Sequence, residues 1–253
     1  MTLAARERLI LALDLPSAEE AMALVRELEG LVSFFKVGQQ LFTAEGPDFV
    51  KRLIGEKKRV FLDLKWIDIP ETVAAAVGVA SKWGVSLATI DGNNSRETMA
   101  EAARAARPSS PQAAGGSGLK LLCVTALTSL DDEVLKEMGW GTTAGRLVEA
   151  RTRRAIETGL GGVVASGQEA ALARRIAGEA GREGFLVVTP GMRLAGASRD
   201  SHRRAAGPED AVREGADYVV VGRPIRSAAD PRAEAQRYVE AIERGLSSRT
   251  LAT

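Results

Sequence analysis

The chain has 253 residues, with 34 basic against 33 acidic side chains and a formal net charge of +1. A hydrophobic share of 45% and a charged share of 26% exclude wholesale disorder, and the balanced charge gives no global drive toward nucleic acid or an anionic membrane. The single cysteine, Cys123, excludes an intrachain disulfide, and the single histidine, His202, excludes every multi-histidine metal site.

Short apolar runs alternate with helical patterns along the chain. The runs cover residues 9–13, 34–37, 60–64, 87–90, 119–124, 162–165, 185–189 and 218–221. Each is continuous rather than alternating, as expected of strands buried on both faces of a parallel sheet. After the first run, Ser17 and Glu20 have capping-box spacing, and Ala21, Leu24, Val25 and Leu28 recur on one helical face. Pro70 suits the first turn of a helix running to about Trp83. Asp230 and Pro231 open a last helix, expected to stop at about Gly245. The Pro-, Ser- and Gly-rich segment 107–118 is expected to be a mobile loop and 247–253 a frayed tail. Eight strand-plus-helix units in about 250 residues predict a (β/α)8 TIM barrel in a single domain spanning 1–253. An open doubly wound sheet shares this periodicity and is the alternative. No apolar run approaches the roughly 20 residues of a membrane span. The charged first eight residues lack an apolar signal segment, so a cytoplasmic protein is expected.

Residues able to do chemistry gather at the ends of the runs. Segment 61–72, FLDLKWIDIPET, carries Asp63 and Lys65 two apart at a strand end, where they point to the same side. Buried charges are costly unless paired, so this pair is either a structural ion pair or part of a ligand site. Asp68 follows in the loop before Pro70. Asp14, Lys36, Thr125, Thr128, Arg193 and Arg223 lie at other strand ends. In a barrel, that end of the strands is the usual place for an active site. Gly191 and Arg193 follow the seventh run, and Gly222 and Arg223 the eighth. Glycine allows close backbone approach and arginine binds phosphate in bidentate fashion, so these two turns predict a phosphate site. Neither a dinucleotide fingerprint nor a nucleophile elbow is present, and Cys123 reads as core packing.

The segment DLKWIDIPET resembles the D-x-K-x-x-D-I-P signature of the orotidine 5′-phosphate decarboxylase family. ALD at the first run, FKVG at the second, LTS after the fifth, TPGMR at the seventh and VVGRPI at the eighth extend the resemblance over nearly the whole chain. The resemblance implies a homodimeric TIM barrel with no metal or organic cofactor. It implies conversion of orotidine 5′-monophosphate to uridine 5′-monophosphate and CO2, the last step of de novo pyrimidine nucleotide synthesis. It further implies a catalytic network of Lys36, Asp63 and Lys65, completed by Asp68 of the partner subunit. Asp14 and Lys36 would hold ribose hydroxyls, and Thr128 would lie by the pyrimidine. Ile69 and Thr72 would cross the dimer interface with Asp68. Arg193, Gly222 and Arg223 would bind the phosphate.

The sequence departs from that pattern in places. Ile67 and Glu71 stand where many members have histidine and asparagine. Asp91 stands where the family usually has histidine, and His202 where a glutamine clamps the phosphate and the base. A Mg²⁺-dependent hexulose-phosphate synthase relative is a second reading, but it carries D-A-G where this chain has Asp68, Ile69 and Pro70. A catalytically silent nucleotide-binding protein is a third.

Overall fold

The computed structural model describes residues 3–107, 118–194 and 206–250. Eight parallel strands close into a barrel in chain order, with the last hydrogen-bonded to the first. They are β1 (Leu9–Ala12), β2 (Phe34–Gly38), β3 (Arg59–Trp66), β4 (Leu87–Asp91), β5 (Lys120–Val124), β6 (Gly162–Val164), β7 (Leu186–Pro190) and β8 (Tyr218–Val221). Between them run α1 (Ala5–Arg8), α2 (Ala18–Glu27), α3 (Gln39–Gly55), α4 (Pro70–Trp83), α5 (Arg96–Ala105), α6 (Asp132–Glu137), α7 (Ala144–Glu157), α8 (Ala170–Glu179), α9 (Pro208–Arg213), α10 (Arg223–Arg226) and α11 (Pro231–Thr250). The sheet closes, so the open doubly wound alternative falls.

The helix starts are written in the sequence. Ser17 accepts a hydrogen bond from the Glu20 amide, Ser95 from Thr98 and Asp131 from Val134, each satisfying a donor the helix itself leaves free. Pro70 opens α4, and Gly84 closes it in the left-handed region at φ +87°. The last helix overruns its expected stop and reaches Thr250, so residues 247–250 are helical rather than frayed. Gly245 is a contact residue, not a terminator: a Cβ there would lie 2.5 Å from the Glu209 carbonyl oxygen on α9. Within this last stretch Ser247 and Ser248 donate to the carbonyls of Glu243 and Arg244, both at 3.0 Å. Most of the expected mobile loop, residues 108–117, lies outside the described residues. No helix among the described residues is long and apolar enough to cross a membrane.

Strand periodicity splits the core in two. Leu9, Leu11, Phe35, Val37 and Leu62 face outward and pack under the helices. Ile10, Phe34, Phe61, Leu87, Leu122, Val188, Tyr218 and Val220 face inward and fill the barrel. This plug positions the site. Two residues further along each strand, on the same inward side, come Lys36 above Phe34, Asp63 above Phe61, Thr89 above Leu87 and Gly222 above Val220.

Candidate active site

The upper, C-terminal mouth carries a chain of alternating charges. Lys36 Nζ donates to Asp14 Oδ1 at 2.9 Å and lies 3.5 Å from Asp63 Oδ2. Asp63 Oδ1 accepts from Lys65 Nζ at 2.9 Å. The side chains of Lys36 and Asp63 are 11% and 14% exposed, so water screens this central pair weakly, whereas Asp14 at 42% is open to solvent. Burial pushes the Asp63 carboxyl up. The ammonium groups of Lys36 and Lys65, with hydrogen bonds from Lys65 and Thr89, outweigh that and hold it below its ordinary value. Gly38 leaves room for the network: a Cβ there would lie 2.8 Å from Lys36 Nζ and 2.9 Å from Asp14 Oδ1 and would displace that pair.

Asp63 and Lys65 meet as their spacing predicts, but not on a regular strand. The β3–β4 register runs Leu62 to Ala88 and then Trp66 to Ile90, with an irregularity between. Lys65 lies within it, in the left-handed region at φ +53°. For a side chain with a Cβ that conformation is strained by about 1–3 kcal/mol and persists only where its surroundings hold it. Thr89, fully buried, provides two of the contacts: it accepts from the Lys65 amide and donates to Asp63 Oδ1, both at 2.9 Å. Sequence reasoning missed Thr89. Its signal was its place two residues beyond Leu87, on the strand paired with the Asp63–Lys65 segment.

A cavity of about 210 Å³ adjoins the network and shares Asp14 and Lys36 with it. Its wall includes Gly191, Arg193, Gly222 and Arg223, bringing the two expected turns together. Arg226 also lines it, and its Nη1 is buried with no hydrogen-bond partner among the described residues. Sequence reasoning missed Arg226, although it follows VGRPI directly. Arg193, Arg223 and Arg226 form no ion pair with a described residue, and among the described residues lining the cavity Asp14 is the one carboxylate, itself paired with Lys36.

Other expected positions lie apart. Asp68, Ile69 and Thr72 are exposed, and Asp68 Oδ1 accepts only from the neighbouring Ile69 amide, at 2.6 Å, making no ion pair with a described residue. Thr128 is half-buried in the turn after β5. Thr125 does follow the end of β5, but it is fully buried and its hydroxyl is used by the Val164 carbonyl at 2.8 Å. Asp91 ends β4 and accepts from the Asn93 amide at 2.8 Å. Buried Arg151 donates to Asn93 Oδ1 and to the Thr125 carbonyl, and stacks 5.2 Å from the Trp140 ring. His202 lies outside the described residues.

A closed eight-stranded barrel with paired lysines and aspartates at its mouth, beside an arginine-lined cavity, defines a class: TIM-barrel proteins built to hold an anionic ligand against a charged centre. Residues 7–238 match the family described as "Orotidine 5′-phosphate decarboxylase / HUMPS family", and the chain belongs to that family. It is 44% identical over 242 residues to the orotidine 5′-phosphate decarboxylase of Nitrobacter winogradskyi, covering 96% of this chain and 95% of that one. It is 45% identical over 237 residues to that of a Caulobacter species, strain K31, covering 94% and 97%. The crystal structure of orotidine 5′-phosphate decarboxylase from Lactobacillus acidophilus superposes with a TM-score of 0.79 at 32% identity, covering 93% of this chain and 99% of that one.

Proposed function

We propose that this chain decarboxylates orotidine 5′-monophosphate to uridine 5′-monophosphate and CO2. The observation that carries the reading is the continuous run Asp14, Lys36, Asp63, Lys65, joined at Lys36 to the arginine-lined cavity.

The phosphate dianion lies among Arg193, Arg223 and Arg226, with the close backbone at Gly222. Asp14 and Lys36 bind the ribose hydroxyls, and Thr128 borders the pyrimidine. The C6 carboxylate then points to Asp63 and Lys65. When the C6–CO2⁻ bond breaks, its electron pair stays on C6 in the ring plane, outside the conjugated system. An ammonium fixed beside C6 stabilises that charge, because it is already aligned and needs little reorganisation. Lys65 Nζ then transfers a proton to C6 and regains one from solvent, so the reaction consumes one proton and releases CO2. Asp63 anchors the Lys65 ammonium by the 2.9 Å contact and faces the departing carboxylate. Phosphate binding far from C6 supplies energy that fixes the ring against Lys65.

The working unit in this reading is a homodimer in the cytoplasm, with Asp68, Ile69 and Thr72 reaching the partner's site. Ile67 and Ile69 support it, being 56% and 61% exposed in the single chain on the same loop as Asp68. The reading also assigns a phosphate contact to His202, in place of the family's glutamine, on the sequence alone, since it lies outside the described residues.

The test is the ultraviolet absorbance change of orotidine 5′-monophosphate, run with and without a chelator. The expected result is chelator-resistant formation of uridine 5′-monophosphate and CO2. Turnover only of a sugar phosphate with Mg²⁺, or nucleotide binding without turnover, overturns the reading.

A further inference from the structure

Between Leu62 and Trp66, β3 advances four residues while β4 advances only two, from Ala88 to Ile90. Thr89 is therefore the single β4 residue opposite Asp63, Leu64 and Lys65. A bulge of this kind breaks the ladder of backbone hydrogen bonds and re-aims the side chains it carries. Here the displaced Lys65 amide finds a side chain instead, the Thr89 hydroxyl at 2.9 Å. That hydroxyl also lies 2.9 Å from Asp63 Oδ1.

The chemistry fixes the direction of both bonds. A backbone N–H only donates and an ionised carboxylate only accepts. The hydroxyl must therefore accept from Lys65 and donate to Asp63, which commits its one proton. One oxygen atom thus ties the backbone of the ammonium-bearing residue to the carboxylate with which that ammonium pairs. Thr89 is fully buried, so no bulk solvent substitutes for either bond. Elsewhere around the network the ties are between side chains: Asp14 to Lys36, Lys36 to Asp63, and Lys65 Nζ to Asp63.

We propose that Thr89 is a positioning residue of the reaction: it holds Lys65 in its left-handed backbone and Asp63 in register with it, so that the ammonium meets C6. The inference rests on the decarboxylase reading and adds a residue outside the signature segment. Thr89 touches no substrate atom in this scheme. Its loss therefore acts on the chemical step and leaves nucleotide binding in place.

The experiment compares Thr89→Val, which keeps the shape and removes the hydroxyl, with Thr89→Ser, which keeps the hydroxyl and removes the methyl. Steady-state turnover of orotidine 5′-monophosphate and affinity for uridine 5′-monophosphate are measured for both and for the unmodified chain. The expected result is a fall in kcat of about 100-fold in Thr89→Val, the scale of a misplacement of about 1 Å. KM and nucleotide affinity stay within about threefold, and Thr89→Ser keeps kcat within about fivefold. Thr89→Ala is read in the same way should the valine chain fail to fold. A kcat within about threefold of the unmodified chain in either hydroxyl-free variant overturns the inference. So does an equal loss in Thr89→Ser, which assigns the effect to packing of the methyl group. Absence of turnover by the unmodified chain is a separate result: it overturns the decarboxylase reading and this inference with it.

Discussion

The two ends of the barrel use charge in opposite ways. At the lower end, Arg59 lies 4.1 Å from the Phe34 ring and 5.4 Å from Tyr218, and it donates to the Tyr218 hydroxyl at 3.0 Å. Phe34 and Tyr218 meet edge to face with centroids 5.5 Å apart. Arg174 pairs with Asp217 and donates to the Phe185 and Gly215 carbonyls. Asp217 in turn accepts from the Val187 amide, and its carbonyl from Arg8. These cations are each partnered by the wall: Arg59 by two rings and a hydroxyl, Arg8 by carbonyls, and Arg174 by a carboxylate and carbonyls. At the upper end, among the described residues of the network and cavity, Lys36 and Lys65 pair with Asp14 and Asp63, while Arg193, Arg223 and Arg226 line the cavity without an ion pair. Residue type does not separate the two ends; what the charges face does, the lower ones facing the wall and the upper ones adjoining a cavity. Lower-end charges are tied to the barrel wall, whereas the arginines of the upper cavity have no carboxylate partner among the described residues, as the proposed function requires.

Replacing Lys65 gives the sharpest contrast between the ends. Lys65→Ala removes both the stabilising charge and the proton donor. Each is worth about 10²-fold or more, so kcat falls by at least about 10⁴-fold. Affinity for uridine 5′-monophosphate stays within about threefold, because the arginine-lined cavity is intact. Turnover within tenfold of the unmodified chain, in a folded protein, would remove Lys65 from the reaction.

The exposed Asp68 tests whether the upper end is complete in one chain. Lys65→Ala and Asp68→Ala are each expected to be inactive. Mixed in equal amounts with free subunit exchange, they give about half mixed dimers. One of the two sites in each mixed dimer then has both residues intact, so about a quarter of full activity returns. No recovery after exchange is verified by mass spectrometry would show that Asp68 acts within its own chain or not at all.

Much of this contrast was legible in the sequence, for identifiable reasons. Buried parallel strands read as unbroken apolar runs, so all eight strands were found with small shifts at their ends. The charged residues at the mouth stood out because Asp63 and Lys65 are rare inside such a run. Thr89 did not stand out, because a threonine within LATID is ordinary β-sheet composition and its role comes only from the bulge opposite. Arg226 was hidden for a related reason: on the sequence it is one more surface-type arginine, and only the turn of α10 brings it to the cavity. The pairing of lower-end cations was equally illegible, since Arg174 and Asp217 are 43 residues apart.

The lower end predicts a stability effect without a catalytic one. The Arg174 and Asp217 side chains are 23% and 21% exposed, so their pairing is partly shielded from water. Arg174→Ala leaves Asp217 and two carbonyls short of a donor, a loss of about 2–3 kcal/mol. For a chain of this size that lowers Tm by about 5–10 °C in calorimetry. kcat measured well below Tm stays unchanged. A fall in kcat with no change in Tm would break the division between the two ends.

The smallest effect concerns what the upper-end network contributes to stability and how acid removes it. The Asp63 carboxyl is held below its ordinary value of 3.8, with burial opposing and Lys36 and Lys65 prevailing. A carboxyl depressed on folding contributes stability that is fully present above its unfolded value. That contribution disappears as pH falls through the folded value. Asp63→Asn mimics the protonated state at every pH while leaving Lys36 and Lys65 in place. The unmodified chain is therefore expected to be the more stable of the two at pH 7, by an amount that stays constant down to about pH 5. Below about pH 3.8 the gap narrows, because the unfolded chain takes up the Asp63 proton first, and it closes as folded Asp63 is protonated at its lower value. Urea unfolding at a series of pH values measures this directly. A gap that stays constant from pH 7 to pH 3 would mean that the lysines do not favour ionised Asp63. The upper end would then hold its charges at no energetic advantage over neutral side chains.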